Sequence, residues 1–353
     1  MDVNKYLRLL IGIFSGRRAF TGPYLVQLDL TNACNTVCLY CMNYSTLGLK
    51  KEYPSHWQNE FLDMATARRL IPELKALGVK EIDVTGNGEP FMHPDCIEIL
   101  RLIKSSGIKC LVRTNGLFIN QDIIDQLLAM GLNGIDLSLW AGTPQGYAVM
   151  HPGESEESFL KIYDWLQYLA ELRDKNKVSL KLRILNVVGA DNFRDLEGML
   201  SFASEIKADY VLFKYAMGDF FRPEIAGRIQ LSNDEKIELI RLSEASVHKK
   251  RVRNNLDYFI HALDRSFKVD RCYFGWLYAR VTVTGGVIPC CGCTDKEMGN
   301  FKENIFSTIW FGTKFDEFRQ RSRHINTDPF FSECSCSKIC PHYMAMMPLR
   351  DVL

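Results

Sequence analysis

The sequence has almost no net charge, no long apolar run and no recognisable secretion signal, and each absence excludes a class of protein. Its 353 residues include 43 basic and 42 acidic side chains, for a formal net charge of +1. No global field therefore attracts nucleic acid or an acidic partner. No apolar run approaches the length of a membrane span. Lys5 and Arg8 interrupt the apolar N-terminal stretch, which lacks a small-residue cleavage site, so a secretory signal peptide is not expected.

Without a secretion signal, the expected compartment is a reducing cytoplasm. There, twelve cysteines indicate metal or redox chemistry rather than a disulfide framework. The composition, 47% hydrophobic and 24% charged, is that of an ordinary globular protein with ample length for a large core. The length fits one barrel-sized domain with a smaller one attached.

Three of the cysteines lie within eight residues, directly after an apolar segment at 24–30 that predicts a strand. They are Cys34, Cys38 and Cys41. Thiolate ligation is the usual role of such spacing in an intracellular chain. A cubane iron–sulfur cluster normally has four cysteine ligands, so three would leave one iron open to another ligand. A structural zinc site, completed by a distant Cys or His, is the alternative.

Strand-like and helix-like segments alternate from residue 24 to residue 215. The predicted strands are 24–30, 81–85, 109–114, 134–140, 179–188 and 210–215, and the predicted helices between them include 65–77, 96–105, 121–130, 158–173 and 193–206. Such alternation predicts an α/β fold with a parallel sheet, here an open, partial (β/α)6 barrel. The chemistry of such folds lies at the carboxyl ends of the strands, where the cysteine triplet is placed.

The spacing C-x3-C-x-aromatic-C resembles the signature of the radical S-adenosylmethionine (SAM) enzymes. In that family the three thiolates hold a [4Fe–4S] cluster whose fourth iron binds SAM, and the aromatic residue, here Tyr40, lies beside the adenine. The reduced cluster cleaves SAM to a 5′-deoxyadenosyl radical, which abstracts a hydrogen atom from the substrate. The resemblance implies the partial barrel as well, and it covers about residues 24–341.

The resemblance also assigns SAM contacts to the loops that follow later strands. The segment T-G-N-G-E-P at 85–90 resembles the family's GGE-type motif, whose backbone binds the SAM amino group. The implied SAM-binding residues are Gly86, Gly88, Glu89, Asn115, Ser138 and Arg183. Arg183 is favoured as the partner of the SAM carboxylate, since a guanidinium binds that anion in bidentate fashion. Lys181 is the alternative. The alternative for the 85–90 segment and for the loop with Asn115 is an ordinary turn. The alternative for Arg183 and Lys181 is a salt bridge at the barrel rim.

A second group of cysteines follows residue 271. A predicted β-hairpin around Gly285-Gly286, a helical segment at 305–321 and a final cysteine group resemble the SPASM/twitch domain, which holds auxiliary [4Fe–4S] clusters. The implied ligands are Cys272 and Cys290, with two of Cys334, Cys336 and Cys340, of which the last two are favoured. The final cysteine series is shorter than the full two-cluster pattern, which favours a single-cluster, twitch-like domain. A zinc ribbon is the alternative.

These segments predict four parts: an N-terminal helix (1–23), the partial barrel (24–232), a helical connector (233–266) and the SPASM/twitch-like domain (267–353). We favour an N-terminal helix that packs on the domain. A basic amphipathic helix that contacts membrane or a lipid substrate is the alternative.

The resemblance implies an enzyme that takes its electron from a reductant such as flavodoxin or ferredoxin. Only 33 residues precede Cys34, too few for the added peptide-binding domain of many relatives. We therefore expect a small polar, sugar-derived substrate that is oxidised or epimerised. An epimerase needs a hydrogen donor, for which Cys291 and Cys293 are candidates, with Cys96 as a third. A peptide-modifying maturase and a non-catalytic metal-binding scaffold are the alternatives.

Overall fold

The computed structural model describes residues 3–49, 51–176, 178–262, 271–332 and 334. Within them, nine strands form one sheet. The strands are β1 (Leu25–Asp29), β2 (Glu81–Thr85), β3 (Lys109–Thr114), β4 (Gly134–Ser138), β5 (Lys181–Val188), β6 (Tyr210–Tyr215), β7 (Tyr278–Val281), β8 (Gly286–Ile288) and β9 (Gly299–Asn300).

The strand order is β6-β5-β4-β3-β2-β1-β7-β8-β9. Strands β1 to β6 are parallel, as the alternating sequence predicted. The C-terminal hairpin continues the same sheet, because β7 pairs in parallel with β1 through the register Leu25↔Tyr278 to Leu28↔Val281. Strands β8 and β9 then add in antiparallel fashion. The second cysteine region is therefore joined to the strand that leads to the first cysteine region.

Helices precede, connect and follow the strands, and one or two of them lie between each consecutive pair of strands from β1 to β6. They are α1 (Val3–Ser15), α2 (Met64–Ala76), α3 (Cys96–Ser105), α4 (Gln121–Ala129), α5 (Pro144–Met150), α6 (Glu156–Asn176), α7 (Leu196–Glu205), α8 (Pro223–Ile229), α9 (Asn233–Ala245), α10 (Leu256–His261), α11 (Phe306–Trp310) and α12 (Thr313–Arg321). Side-chain caps begin several of them: Asp63 accepts from the Thr66 N–H, and Ser232 with Glu235 forms a capping box.

Alternate residues of the strands are fully buried against these helices, including Val26, Leu28, Ile82, Val84 and Val112. The other residues of each strand face the interior of the curved sheet, where many are polar. None of the helices in the described ranges combines the length and the apolar character needed to cross a membrane.

Two sequence predictions were wrong in detail, and the segment at 216–233, to which no helix was assigned, contains α8. Pro223 begins this helix at its first helical position, where the fixed φ of proline suits a helix. The strand predicted at 134–140 ends at Ser138, and Trp140 has φ 63°. The helical segment at 305–321 is two helices, α11 and α12, separated at Phe311 and Gly312.

Candidate active site

The cysteine triplet lies in the loop that leaves the carboxyl end of β1. Thr36 stands between two of the thiols, with its hydroxyl oxygen 3.5 Å from Cys34 Sγ and 3.7 Å from Cys38 Sγ. The backbone N–H of Asn43 donates to Cys41 Sγ over 3.4 Å. Burial raises the pKa of all three thiols, which are therefore neutral until a metal ion displaces their protons.

The loop after β2 is hydrogen-bonded to the cysteine loop through its backbone. The Gly88 N–H donates to the Thr31 carbonyl oxygen over 3.2 Å, and the Glu89 N–H donates to the Ala33 carbonyl oxygen over 2.8 Å. A Cβ on Gly88 would lie 2.0 Å from the Ala33 oxygen, and Gly86 has φ +154°. Glycine is required at 88 because the two backbone segments approach too closely for a side chain.

We expect Gly88→Ala to displace the cysteine loop and to reduce the iron bound by the anaerobically reconstituted protein at least several-fold. Backbone atoms cannot move aside as a flexible side chain can, so relief of the contact must separate the two loops. Gly227→Ala is the matched control, because a Cβ at Gly227 would meet nothing within 4 Å. Iron content that is equal in the two variants would contradict the close approach.

The Glu89 side chain joins the loops after β2 and β3. Its carboxylate accepts from the Thr114 hydroxyl (2.7 Å), the Asn115 N–H (2.7 Å) and the Phe91 N–H (3.1 Å). Burial raises the pKa of Glu89 to about 7, although these donors favour the ionised form. The Asn115 amide in turn donates to Asn35 (2.8 Å) and Thr36 (3.3 Å) of the cysteine loop. Glu89 and Asn115 therefore position the triplet, whereas contacts with SAM stay a prediction for both.

A buried ion pair connects β7 to the same site. Arg280 Nε donates to Asp29 over 2.8 Å, and both side chains are almost fully buried. A second guanidinium nitrogen of Arg280 donates to the Asn87 side-chain oxygen over 2.8 Å, and Asn87 donates to Asn32 over 3.0 Å. Sequence reasoning missed Arg280. Only the register of β7 beside β1 brings it to Asp29, and no local pattern reports that register.

Tyr40, the aromatic residue of the cysteine motif, is buried beside the carboxyl end of β5. Its hydroxyl donates to Asp191 over 2.7 Å and accepts from the Asp191 N–H over 2.8 Å. Its ring stacks on Trp140 with a centroid separation of 6.4 Å. A Cβ on Gly189 would lie 2.8 Å from the ring, so this glycine makes room for it. The predicted position beside an adenine stays a prediction.

Three buried polar atoms next to the cysteine loop have no hydrogen-bond partner among the described residues: Trp140 Nε1, the Tyr147 hydroxyl and His151 Nε2. The Tyr147 and His151 rings stack at 4.1 Å, and the Leu39 N–H donates to the Met150 carbonyl oxygen over 2.8 Å. Burial lowers the pKa of His151 to about 4, so the ring is neutral at pH 7. Unpaired buried polar groups are costly, which fits a site that receives a polar ligand.

Charged side chains project into the barrel interior below this site. The Asp136 carboxylate accepts from Arg183 over 2.8 Å and from Arg113 over 3.2 Å. Burial raises the pKa of Asp83 to about 7 and lowers the pKa of Lys214 to about 8. Arg183 is thus held in an ion pair, and its predicted contact with the SAM carboxylate stays a prediction.

The two remaining SAM candidates lie at different depths of the barrel. Ser138 is half-buried at the carboxyl end of β4, opposite Leu185. Lys181 pairs with Asp209 at the amino end of β5, far along the strand from the cysteine loop.

The second group of cysteines lies around β8. Cys272 and Cys290 are buried, Cys291 is half-buried, and Cys293 is bonded to Cys334 as a disulfide. Cys336 and Cys340 lie outside the described residues. Cys334, an alternative ligand in the sequence prediction, could bind a cluster only if this disulfide were reduced. The other predicted ligands stay a prediction. Of the proposed hydrogen donors, Cys96 lies in the hydrophobic core with Cys110. Cys291 lies close enough to Lys214 and Tyr278, in the barrel interior, to interact electrostatically with both side chains.

Within the described part of the chain, no three His, Cys, Asp or Glu side chains are spaced to hold a metal ion. The residues of the triplet nevertheless fit an iron–sulfur cluster in kind and number, since cysteine is the usual ligand and three thiols share one loop. Unpaired polar atoms flank that loop. Cluster binding would draw the three sulfurs together, because metal binding and local folding are coupled.

Two family models match the chain. The model described as Radical SAM superfamily matches residues 28–170, and the SPASM model, described as an iron-sulfur cluster-binding domain, matches residues 272–340. The GTP 3',8-cyclase of Chlorobaculum tepidum is 37% identical over 116 residues, only 32% of either chain.

Other relatives match most of the chain. The AdoMet-dependent heme synthase of Methanosarcina barkeri is 25% identical over 82% of both chains. The PqqA peptide cyclase of Ruegeria pomeroyi is 25% identical over 90% of this chain and 80% of its own. The crystal structure of Streptococcus suis SuiB bound to precursor peptide SuiA superposes with a TM-score of 0.66 at 15% identity, over 96% of this chain and 75% of that one. At that identity the superposition shows a shared fold.

Proposed function

We infer the function from one premise: this chain is built from a radical SAM domain followed by a SPASM iron–sulfur domain. We propose that it is an enzyme that abstracts a hydrogen atom from a peptide substrate. The single structural observation that carries catalysis is the cysteine loop at the carboxyl end of β1, joined by hydrogen bonds to the loops after β2 and β3.

The cofactors are a [4Fe–4S] cluster, at least one auxiliary [4Fe–4S] cluster and SAM. Cys34, Cys38 and Cys41 would hold the first cluster, which together with SAM supplies a 5′-deoxyadenosyl radical when both are bound. Gly86, Gly88, Ser138 and the Tyr40 ring are proposed to border SAM. Glu89 and Asn115 hold the cysteine loop in place, as the hydrogen bonds described above require.

The charged interior would bind the polar part of the substrate that enters the barrel. Asp136, Arg113 and Arg183 form a preorganised set of donors and acceptors, and such groups need little rearrangement when a ligand arrives. An apolar cluster beside the cysteine loop would keep water from the reacting atoms. It contains the buried side chains of Tyr40, Trp140 and Met150.

The relatives favour a peptide over the small polar metabolite that the sequence suggested. A named peptide cyclase matches 90% of this chain, and the SuiB structure contains its precursor peptide. The short segment before Cys34 does not decide the substrate, because a peptide can be delivered by a separate recognition protein.

The formation of 5′-deoxyadenosine by reconstituted, reduced protein tests the class of substrate. A cell extract is divided by filtration into a peptide fraction and a metabolite fraction, and each is added with SAM under anaerobic conditions. We expect the peptide fraction to stimulate 5′-deoxyadenosine formation, and protease treatment of that fraction to abolish the effect. Stimulation by the metabolite fraction alone would contradict a peptide substrate.

Oxidation or epimerisation of a small polar substrate is the second candidate, because the charged barrel interior would bind such a substrate as well as the polar part of a peptide. In that case Cys291 is the better placed hydrogen donor, because Cys293 is bonded to Cys334 and Cys96 is in the core. Solvent deuterium in the product without net oxidation would identify an epimerase.

A further inference from the structure

The N-terminal helix α1 has apolar side chains on two faces, and only one face packs on the protein. The inward face, with Leu9, Gly12 and Ile13, packs against Tyr273 and Trp276. The outward face carries Val3, Leu7, Ile11 and Phe14, which we call the outer strip. These side chains are 81%, 54%, 48% and 70% exposed.

The outer strip is a continuous surface rather than a scatter of exposed residues. Its spacing of four, four and three residues places the side chains above one another along one side of a helix. Contiguous exposed apolar surface of this kind marks a binding site more often than isolated exposed residues do.

The charged residues of α1 and of the turn that follows it are all basic. Between Val3 and Arg18 there are four basic residues, Lys5, Arg8, Arg17 and Arg18, and no acidic residue. Arg8, Arg17 and Arg18 are exposed. A helix with an apolar face bordered by Lys and Arg is suited to lie in the interface of a bilayer that contains anionic lipids.

The helix is fixed to the body of the protein, so its outer strip has a defined direction. The Trp276 indole N–H donates to the Arg18 carbonyl oxygen over 3.0 Å, and the Lys5 ammonium donates to the Gly78 carbonyl oxygen in the turn before β2. That turn is at the amino end of the strands, whereas the cysteine loop is at the carboxyl end. A surface bound to α1 therefore leaves the site open on the opposite side.

We propose that the outer strip and its flanking arginines bind the surface of an anionic lipid bilayer and hold the enzyme there as a peripheral protein. A second copy of the chain fits less well. Four side chains on one helix offer much less than the roughly 800 Å² per partner that stable protein interfaces bury, and two copies would bring clusters of like charge together.

Sedimentation with lipid vesicles tests the proposal on the full-length reconstituted protein. The vesicles are phosphatidylcholine alone or with about 30 mol% phosphatidylglycerol. We expect at least about tenfold more bound protein with anionic vesicles, and loss of that binding at high salt, because the basic residues provide the attraction. The double variant Leu7→Ser/Phe14→Ser should bind at least about tenfold less, because it removes two of the inserting side chains.

A matched pair of isoleucine variants tests whether vesicle binding depends on the outer strip or on any exposed apolar side chain. Ile11 is 48% exposed on α1, and Ile237 is 49% exposed on α9, beside acidic Asp234 and Glu238. Ile11→Ser should reduce vesicle binding several-fold, whereas Ile237→Ser should leave it unchanged. Thermal unfolding reports whether each variant folds, and neither side chain is buried. Absence of binding to anionic vesicles, equal binding by the two variants, or a dimer that Phe14→Ser dissociates in light scattering would each overturn the proposal.

Discussion

Replacement of Cys34, Cys38 and Cys41 by alanine is expected to abolish 5′-deoxyadenosine formation, with a decrease of at least about 100-fold. Loss of residues that merely support a metal ligand typically costs 10–100-fold in metal affinity or activity, and these side chains are the proposed ligands themselves. The measurement is 5′-deoxyadenosine produced from SAM by reduced, reconstituted protein, together with the iron and sulfide content of each variant.

Cys110→Ala is the control for this triple variant. Cys110 is fully buried in the strand core of β3, where it serves as a small apolar side chain. Its replacement should leave the iron content and the 5′-deoxyadenosine yield close to those of the parent protein. Single variants of the triplet should each lose most of the activity, since one missing thiolate opens a second iron. Cleavage of SAM that persists in the triple variant would exclude the assignment of this loop.

Replacement of Arg280 by methionine is expected to lower the free energy of unfolding by about 3–5 kcal/mol, because it leaves the Asp29 carboxylate buried without its cationic partner. Asp29 has no exposed surface, and among the described residues Gln27 would remain as its side-chain donor, at 3.1 Å. Urea unfolding measures the loss. SAM cleavage should fall as well, because Asn87 in the loop after β2 loses the hydrogen bond from Arg280.

Two further variants test the cause of this destabilisation. Asp29→Asn combined with Arg280→Met should recover part of the stability, because no buried charge is then left without a partner. Arg101→Ala should cost no more than about 1 kcal/mol, since its ion pair with Glu98 is half exposed on α3. If Arg280→Met lowers the free energy of unfolding by no more than Arg101→Ala does, the ion pair between Arg280 on β7 and Asp29 on β1 contributes little to stability.

Most of the candidate site could be predicted where its residues are close in the sequence. The triplet, the 85–90 segment and Asn115 each follow a predicted strand, and parallel strands place their carboxyl ends together. The structure brings these loops into contact through Glu89 and Asn115. The alternation of side chains along β5 also predicts that Lys181 and Arg183 lie on the same face of the sheet. It does not predict that Arg183 pairs with Asp136.

Residues that depend on contacts across the fold could not be predicted. Trp140 was assigned to a strand, but its positive φ and its stacking on Tyr40 place it over the site. The Trp140 ring contacts His151, the C-cap residue of α5, and Tyr147 on that helix stacks on His151. The sequence prediction omitted α5. Helix α5 has only seven residues and begins with Pro144. So short a segment shows little hydrophobic periodicity, and the sequence therefore gives only a weak signal for this helix.

The sequence by itself determined the kind of chemistry and the parallel α/β fold, because thiol spacing and the alternation of strands and helices are local properties of the chain. Only the tertiary structure decided that β7 lies against β1 and that α1 keeps one apolar face in contact with solvent. Both depend on which segments pack together, and an amphipathic pattern shows that a face is apolar without showing what covers it.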